Sequence, residues 1–289
     1  MSVTVTLNTY SGRPNLSWQL PADRADALLE QIGRLREGTT KKPLGSLRGL
    51  GYRGFLVERL HSAAEGALSF YVHEGIVDQG QNEVNYVDNN QTVERFLLES
   101  GRQLIDDELY SYVLQEMAIR PNLDALLRGP EIEAAGCPPC KAADAPAYNP
   151  GKWNVPTVQP HNNCYNYAND QITNTFAQPG RAHGKPISTL SCGGVQPSAV
   201  ADGLVAVGGF GAPLGAGQGW YVALVIWPGR DYHWYRQDNV GCWSHKPGQT
   251  AARNVDNAGA AISDPRTCNR GPYSDFCSYM RTTRSVVIR

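Results

Sequence analysis

The sequence predicts an α+β protein built in two parts, and three observations carry that expectation. Residues 2–118 mix two hydrophobic periods, strict alternation in short runs and helical spacing in longer ones. All seven cysteines lie after residue 136. The thirty glycines and nineteen prolines are concentrated after about residue 128, so turns take over there. The expected organisation is a small N-terminal α+β domain over 1–127, whose ligand the sequence does not name, a Pro/Ala/Gly-rich linker over 128–154 and a C-terminal domain over 155–289. A chain of 289 residues with a hydrophobic fraction of 41% has enough apolar material for packed cores. Its formal net charge of −1 offers no basic balance for nucleic acid or an anionic membrane surface. The longest apolar run, WYVALVIW at 220–227, is far too short for a membrane span. The opening MSVTVTLNTYSGRPN lacks the basic and apolar regions of a secretory leader, so the expected location is cytoplasmic or exported without a standard leader.

In the N-terminal part, Val3, Val5 and Leu7 alternate along residues 2–10 and predict a half-buried strand. SGRPN at 11–15 reads as a turn. Leu28, Leu29, Ile32 and Leu35 have helical spacing, which predicts a helix from Ala22 to Glu37 with Gly38 as its stop. GYRGFLVERL (51–60) and ALSFYVHEGIV (67–77) read as two strands of a hairpin or meander. Residues 91–118 predict one or two helices broken near Gly101. Their buried stripe runs through Val93, Phe96, Leu97, Leu104, Ile105, Leu109, Tyr112, Val113 and Met117. His61 and His73 stand in or beside strands with no clustered ligands, and both read as structural.

The stretch 128–154 holds Cys137 and Cys140 with two prolines between them. Redox catalysts use this spacing where a helix begins, but no βαβ context surrounds it, and a local disulfide is the expectation. A sharper alternative is a tetrahedral zinc site built from Cys137, Cys140, His161 and Cys164, which have the ligand types and knuckle spacing of structural zinc. Six cysteines can pair and leave one reactive thiol, with Cys164 the one to leave out; the other reading has all seven reduced.

Cys164 lies in VQPHNNCYNYANDQIT, an Asn-rich frame. Asn162 and Asn163 are good N-caps, and the following residues predict a short helix with Tyr165, Ala168 and Ile172 facing inward. A cysteine at a helix start has its thiolate favoured by the helix dipole, and a nearby imidazole completes a nucleophilic pair. Gln159 has an amide that can donate to a developing oxyanion together with the Cys164 N–H. Downstream, PSAVADGLVAVGG reads as a short helix then a strand, and GWYVALVIWPG as a central strand. DYHWYRQD is the next strand, with His233, Tyr235 and Gln237 on one face, and CWSHKPG is a third. His233 is the expected base. His245 is the expected third member, with Asp238 and Asp256 as competitors. An odd-numbered turn between the strands, such as 238–240, places His245 on the face of His233 and directly opposite it. An even one brings Ser244 or Lys246 there instead. VDNAGAAISDP resembles a hairpin, Cys268 and Cys277 are expected to pair with each other or with Cys242, and Asp256, Asn257 and Asp264 read as turn residues rather than calcium ligands.

A glutamine shortly before a helix-opening cysteine, followed by a histidine on a strand, resembles the papain-like and NlpC-type cysteine hydrolases over roughly residues 155–250. The residues around Cys164 are NNCYNY, not the Gly-Ser-Cys-Trp type of papain itself. The resemblance implies a cysteine helix packed on an antiparallel sheet. It implies attack of Cys164 on the carbonyl of a peptide or amide substrate through an acyl-enzyme, with His233 as base, His245 orienting it and Gln159 at the oxyanion, and with no cofactor. The expected function is therefore a thiol-dependent hydrolase or acyltransferase. Two rivals stand beside it: a non-catalytic zinc- or disulfide-stabilised binding or structural protein, and a secreted toxin or matrix protein whose hydrolase-like fold has lost activity.

Overall fold

The structure is a computed structural model and describes residues 2–38, 49–60, 68–79, 85–119 and 136–289. The chain is α+β and divides into two units. The first comprises residues 1–9, 15–48 and 52–129, the second residues 10–14, 49–51 and 130–289. No helix among the described residues is long and apolar enough to cross a membrane. His61, predicted structural, lies outside the described residues.

The first unit is an antiparallel sheet with helices. Strands β1 (Ser2–Leu7), β2 (Leu16–Leu20), β3 (Arg36–Gly38), β4 (Phe55–Leu60), β5 (Leu68–His73), β6 (Ile76–Asp78) and β7 (Asn85–Val87) pair in the order β2-β1-β4-β5-β6-β7-β3. The predicted alternation holds: Val3, Val5 and Leu7 are buried, as are Phe55 and Val57 of β4 and Phe70 and Val72 of β5. Helix α1 (Ala22–Gly33) stops earlier than predicted, because 36–38 pair with β7 instead. The single strand expected over 67–77 is two, since Glu74 and Gly75 both take positive φ and turn the chain. That turn is held by buried Glu94, which accepts from the Glu74 and Gly75 N–H groups and the Tyr52 hydroxyl. Helices α2 (Thr92–Ser100) and α3 (Asp107–Ala118) break at Gly101 as expected, with Val93, Leu97, Ile105, Leu109, Val113 and Met117 buried. Leu104, placed in the stripe by spacing, is 57% exposed because it lies between the helices. His73 is buried against the Tyr52 and Tyr71 rings.

The second unit carries helices α4 (Pro150–Trp153), α5 (Cys164–Ala168) and α6 (Cys192–Ala201). Its strands are β8 (Val205–Val207), β9 (Trp220–Trp227), β10 (Asp231–Gln237), β11 (Trp243–His245) and β12 (Asp275–Thr282). They form one antiparallel sheet in the order β11-β10-β9-β12-β8. Every residue of β9 and β10 is buried, as befits central strands covered on both faces. Disulfides join Cys137 to Cys242 and Cys192 to Cys277. The second ties the first residue of α6 to β12. Cys140, Cys164 and Cys268 are free thiols. The expected pairings Cys137–Cys140 and Cys268–Cys277 are thus replaced by links of much longer range. Residues 136–154 are held in place, with Ala142 bridged to Leu214 and Trp153 buried against Tyr167.

Candidate functional site

Helix α5 is five residues long and would not persist alone. Its caps hold it. Asn163 accepts from the Tyr165 and Asn166 N–H groups, and the Asn166 side chain accepts from the Asn163 N–H in return. The Asn163 amide donates to the Gly12 and Ala177 carbonyls. Asn162 accepts from the Thr173 and Asn174 N–H groups. The Asn-rich frame therefore supplies donors and acceptors to buried irregular backbone, which must be satisfied without water. The helix ends at Ala168, before the predicted inward Ile172, which is 38% exposed. Asp170, at φ 52°, turns the chain away.

Cys164 is the first residue of α5, and α5 packs on β10, so the cysteine helix lies against the strand of His233. The thiol is fully buried, with its Sγ 4.0 Å from the Tyr232 carbonyl. Burial, reinforced by the Asp231 carboxyl, pushes it up to about 12, against smaller opposing effects from Ser11, the Trp234 backbone and Lys246. The helix start is thus outweighed by desolvation.

His233 bonds Ser11 Oγ through Nδ1 at 2.5 Å and His245 Nδ1 through Nε2 at 2.9 Å. His245 Nε2 reaches the Val255 carbonyl at 3.1 Å. A carbonyl only accepts, so His245 carries its proton on Nε2. With both rings neutral, His245 Nδ1 then accepts from His233 Nε2–H, and His233 Nδ1 accepts from the Ser11 hydroxyl. The register explains the meeting of the two rings. Tyr235 lies opposite His245, and five residues, 238–242, separate the strands. The turn is odd, so His245 shares the face of His233, but it stands two residues along rather than directly opposite. Tyr235 stacks on His245 at 4.9 Å and meets His233 edge-on at 4.7 Å.

The surroundings of this row are equally closed. Asp231 is fully buried and accepts from the Ser11, Gly12 and Arg13 N–H groups and from Tyr273 Oη; burial pushes its carboxyl up despite those donors. Lys246, also fully buried, donates to the carbonyls of Gln159, Asn162 and Gly248. Arg236 bonds Asp238, Asp170 and Tyr167. Asp238 therefore serves Arg236, and Asp256 accepts from the Ala258, Ala260 and Asn269 N–H groups, so these competitors for the orienting role are engaged elsewhere.

The structure thus brings His233 and His245 together and sets the helix of Cys164 against the strand of His233. It leaves Gln159 half-buried, held through its own carbonyl, and His161 exposed. The alternative zinc set is not assembled, because Cys137 is consumed by its disulfide, and no metal-holding group of His, Cys, Asp and Glu occurs among the described residues. A surface groove of about 340 Å³ lined by Lys185, Pro186, Pro197 and Val200 includes neither Cys164 nor His233. Ser11 and Asp231 were missed as members of the cluster, and Lys246 was named only for an even-numbered turn. Ser11 read as a turn residue 222 positions away from its partner, a separation no local pattern bridges.

No family model matches the chain, and no solved structure matches it. A stretch of 133 residues, 46% of the chain, is 52% identical to "Insoluble matrix shell protein 1" of Ruditapes philippinarum and covers 87% of that protein. This relative overturns the expected thiol-dependent hydrolase or acyltransferase, its peptidase-like character included. Its name describes a protein of shell matrix, and the rival reading of a disulfide-stabilised, non-catalytic protein accords with it.

Proposed function

We propose a structural, non-catalytic role in an extracellular matrix for this chain, which belongs to the family of insoluble matrix shell protein 1. The observation that carries the reading is the 52% identity across 87% of that relative. Two disulfides suit an oxidising, extracellular setting, where such links persist. The chemistry around Cys164 supports the same reading. A thiol pushed up to about 12 is protonated at neutral pH, and a fully buried sulfur has no solvent path for a substrate carbonyl. The Ser11–His233–His245 row gives the imidazoles a structural use, joining residues 10–14 to the central strands.

As part of the same proposal, the second unit keeps the papain-like or NlpC-like layout as a scaffold. A cysteine-opened helix lies on an antiparallel sheet, with histidines on adjacent strands. Fold does not carry function with it, and a site whose groups are buried and held by bonds within the chain is a core.

The test is to separate the extracellular material of the source organism into soluble and insoluble fractions and to identify the chain by mass spectrometry. It is expected in the insoluble fraction. Recovery in the soluble fraction alone, with thiol-dependent turnover of amide substrates by the purified protein, would sink the reading.

A further inference from the structure

We propose that β8 is a self-pairing edge. The β8 strands of two copies add to each other antiparallel about a two-fold axis at Ala206, joining two five-stranded sheets into one of ten. The inference rests on the matrix reading and names the partner, a second copy of this chain.

The two edges of the sheet are treated differently. β11 pairs with β10 on one side, and on its other side Trp243 bridges to Ile262 and His245 to Arg253. β8 pairs with β12 on one side, and among the described residues no bridge covers the other. Val205, at 46% exposed, and Ala206 both face solvent. An uncovered edge offers a row of backbone donors and acceptors, and proteins that avoid pairing blunt such edges with Lys, Pro or a bulge. None of these is present in Val205–Val207, where the three-residue length of the strand is the one feature that limits pairing. Between Asp202 and Arg230 the chain has no charged residue at all, and a net charge of −1 gives two copies little reason to repel.

The strand is also self-complementary. Val-Ala-Val reads the same in both directions, so an antiparallel copy sets Val205 opposite Val207 and Ala206 opposite itself. Cross-strand pairs of β-branched residues favour that register. The edge is already ordered for it. Leu204 is buried, with its N–H on the Ala199 carbonyl, and Phe210 packs on the Trp243 and Tyr279 rings just beyond the strand.

The test is sedimentation equilibrium of the full chain over a wide concentration series, with Ala206→Lys and Ala206→Glu alone and mixed in equal amounts. The wild type is expected to dimerise reversibly. Each variant alone sets like charges opposite each other and weakens the dimer by about fivefold or more, and the mixture restores it. A wild type that stays monomeric, a dimer unaffected by either substitution, or a mixture no tighter than its components overturns the proposal. Ala206→Cys adds a check that makes little demand on folding. Air oxidation should link two copies through residue 206, and failure to link under conditions where the wild type dimerises also overturns it. The two readings fail separately. A monomer found in the insoluble matrix keeps the structural role and sinks the pairing, and a β8-linked dimer absent from that matrix does the reverse.

Discussion

A thiol is nucleophilic only as its thiolate, so the proton on Cys164 decides what the residue does. Burial holds that proton on up to about 12, and it holds the half-buried Cys268 thiol, 3.9 Å from Tyr235 Oη, up to about 11. Iodoacetamide on the native protein should therefore label Cys140 first, Cys268 more slowly and Cys164 only after denaturation, as read by peptide mass spectrometry. Labelling of Cys164 at the rate of Cys140 would contradict the buried, protonated thiol. Asp238 makes a second case. Burial raises its carboxyl from 3.8 to about 6 despite Arg236. The folded state thus holds this proton more tightly than the unfolded one. The stability it contributes is fully present below the unfolded value and is lost as pH rises through about 6. In urea unfolding, the wild type should lose up to roughly 3 kcal/mol more than Asp238→Asn between about pH 4 and about pH 7. An equal pH dependence in both proteins would refute that assignment. At this scale the sequence was informative about chemical type. His233 and His245 stand on neighbouring strands where order and spacing placed them, their ring nitrogens 2.9 Å apart, and the helix that Cys164 opens packs on the strand of His233. Their environment was not legible, because burial is a property of what packs around a residue rather than of its neighbours in sequence.

Among the elements, the strands were the most legible and the short helix at Cys164 the least. β9 and β10 announce themselves as apolar or aromatic runs bounded by Pro-Gly and Asp-Asn turns. The helix was predicted through Ile172, since alternating Tyr and Ala residues continue the pattern. Its true end at Ala168 is set by Asn162 and Asn166 bonding the chain beyond it, at Thr173, Asn174 and Ala177. What precedes the helix is fixed by Lys246 on the strand side. Its ammonium is fully buried and bonded to three carbonyls, of which Gln159 and Asn162 lead directly into Asn163. Lys246→Met keeps the length of the side chain and removes every donor, leaving those carbonyls without that partner. The expected cost is roughly 3–5 kcal/mol in chemical unfolding, since losing one side of a buried polar cluster costs more than the cluster's net worth. A loss within about 0.5 kcal/mol, the range of an ordinary surface change, would show that water or another donor reaches these carbonyls.

For the whole molecule, the distribution of cysteines was legible and their pairing was not. Their confinement to the part after residue 136 marks which unit is cross-linked. The partners, 105 and 85 residues apart, follow only from the sheet that brings β12 to α6 and the turn after β10 to residues 136–140. That asymmetry has a thermodynamic consequence. Both disulfides close long loops inside the second unit, and in the chain-entropy picture each raises its stability by up to about 4–5 kcal/mol. The first unit contains no cysteine, so reduction leaves its chain unconstrained as before. Guanidinium unfolding with and without reductant, followed by a tryptophan probe in each unit, should therefore shift one transition and leave the other. Trp18 reports on the first unit and Trp153, Trp220, Trp227, Trp234 and Trp243 on the second, once the other set is replaced by Phe in matched variants. Reduction should move the second unit's midpoint to lower denaturant while Trp18 reports an unchanged one. If both midpoints fall together, the units unfold as one cooperative body, and the cross-links in the second stabilise the first through that coupling.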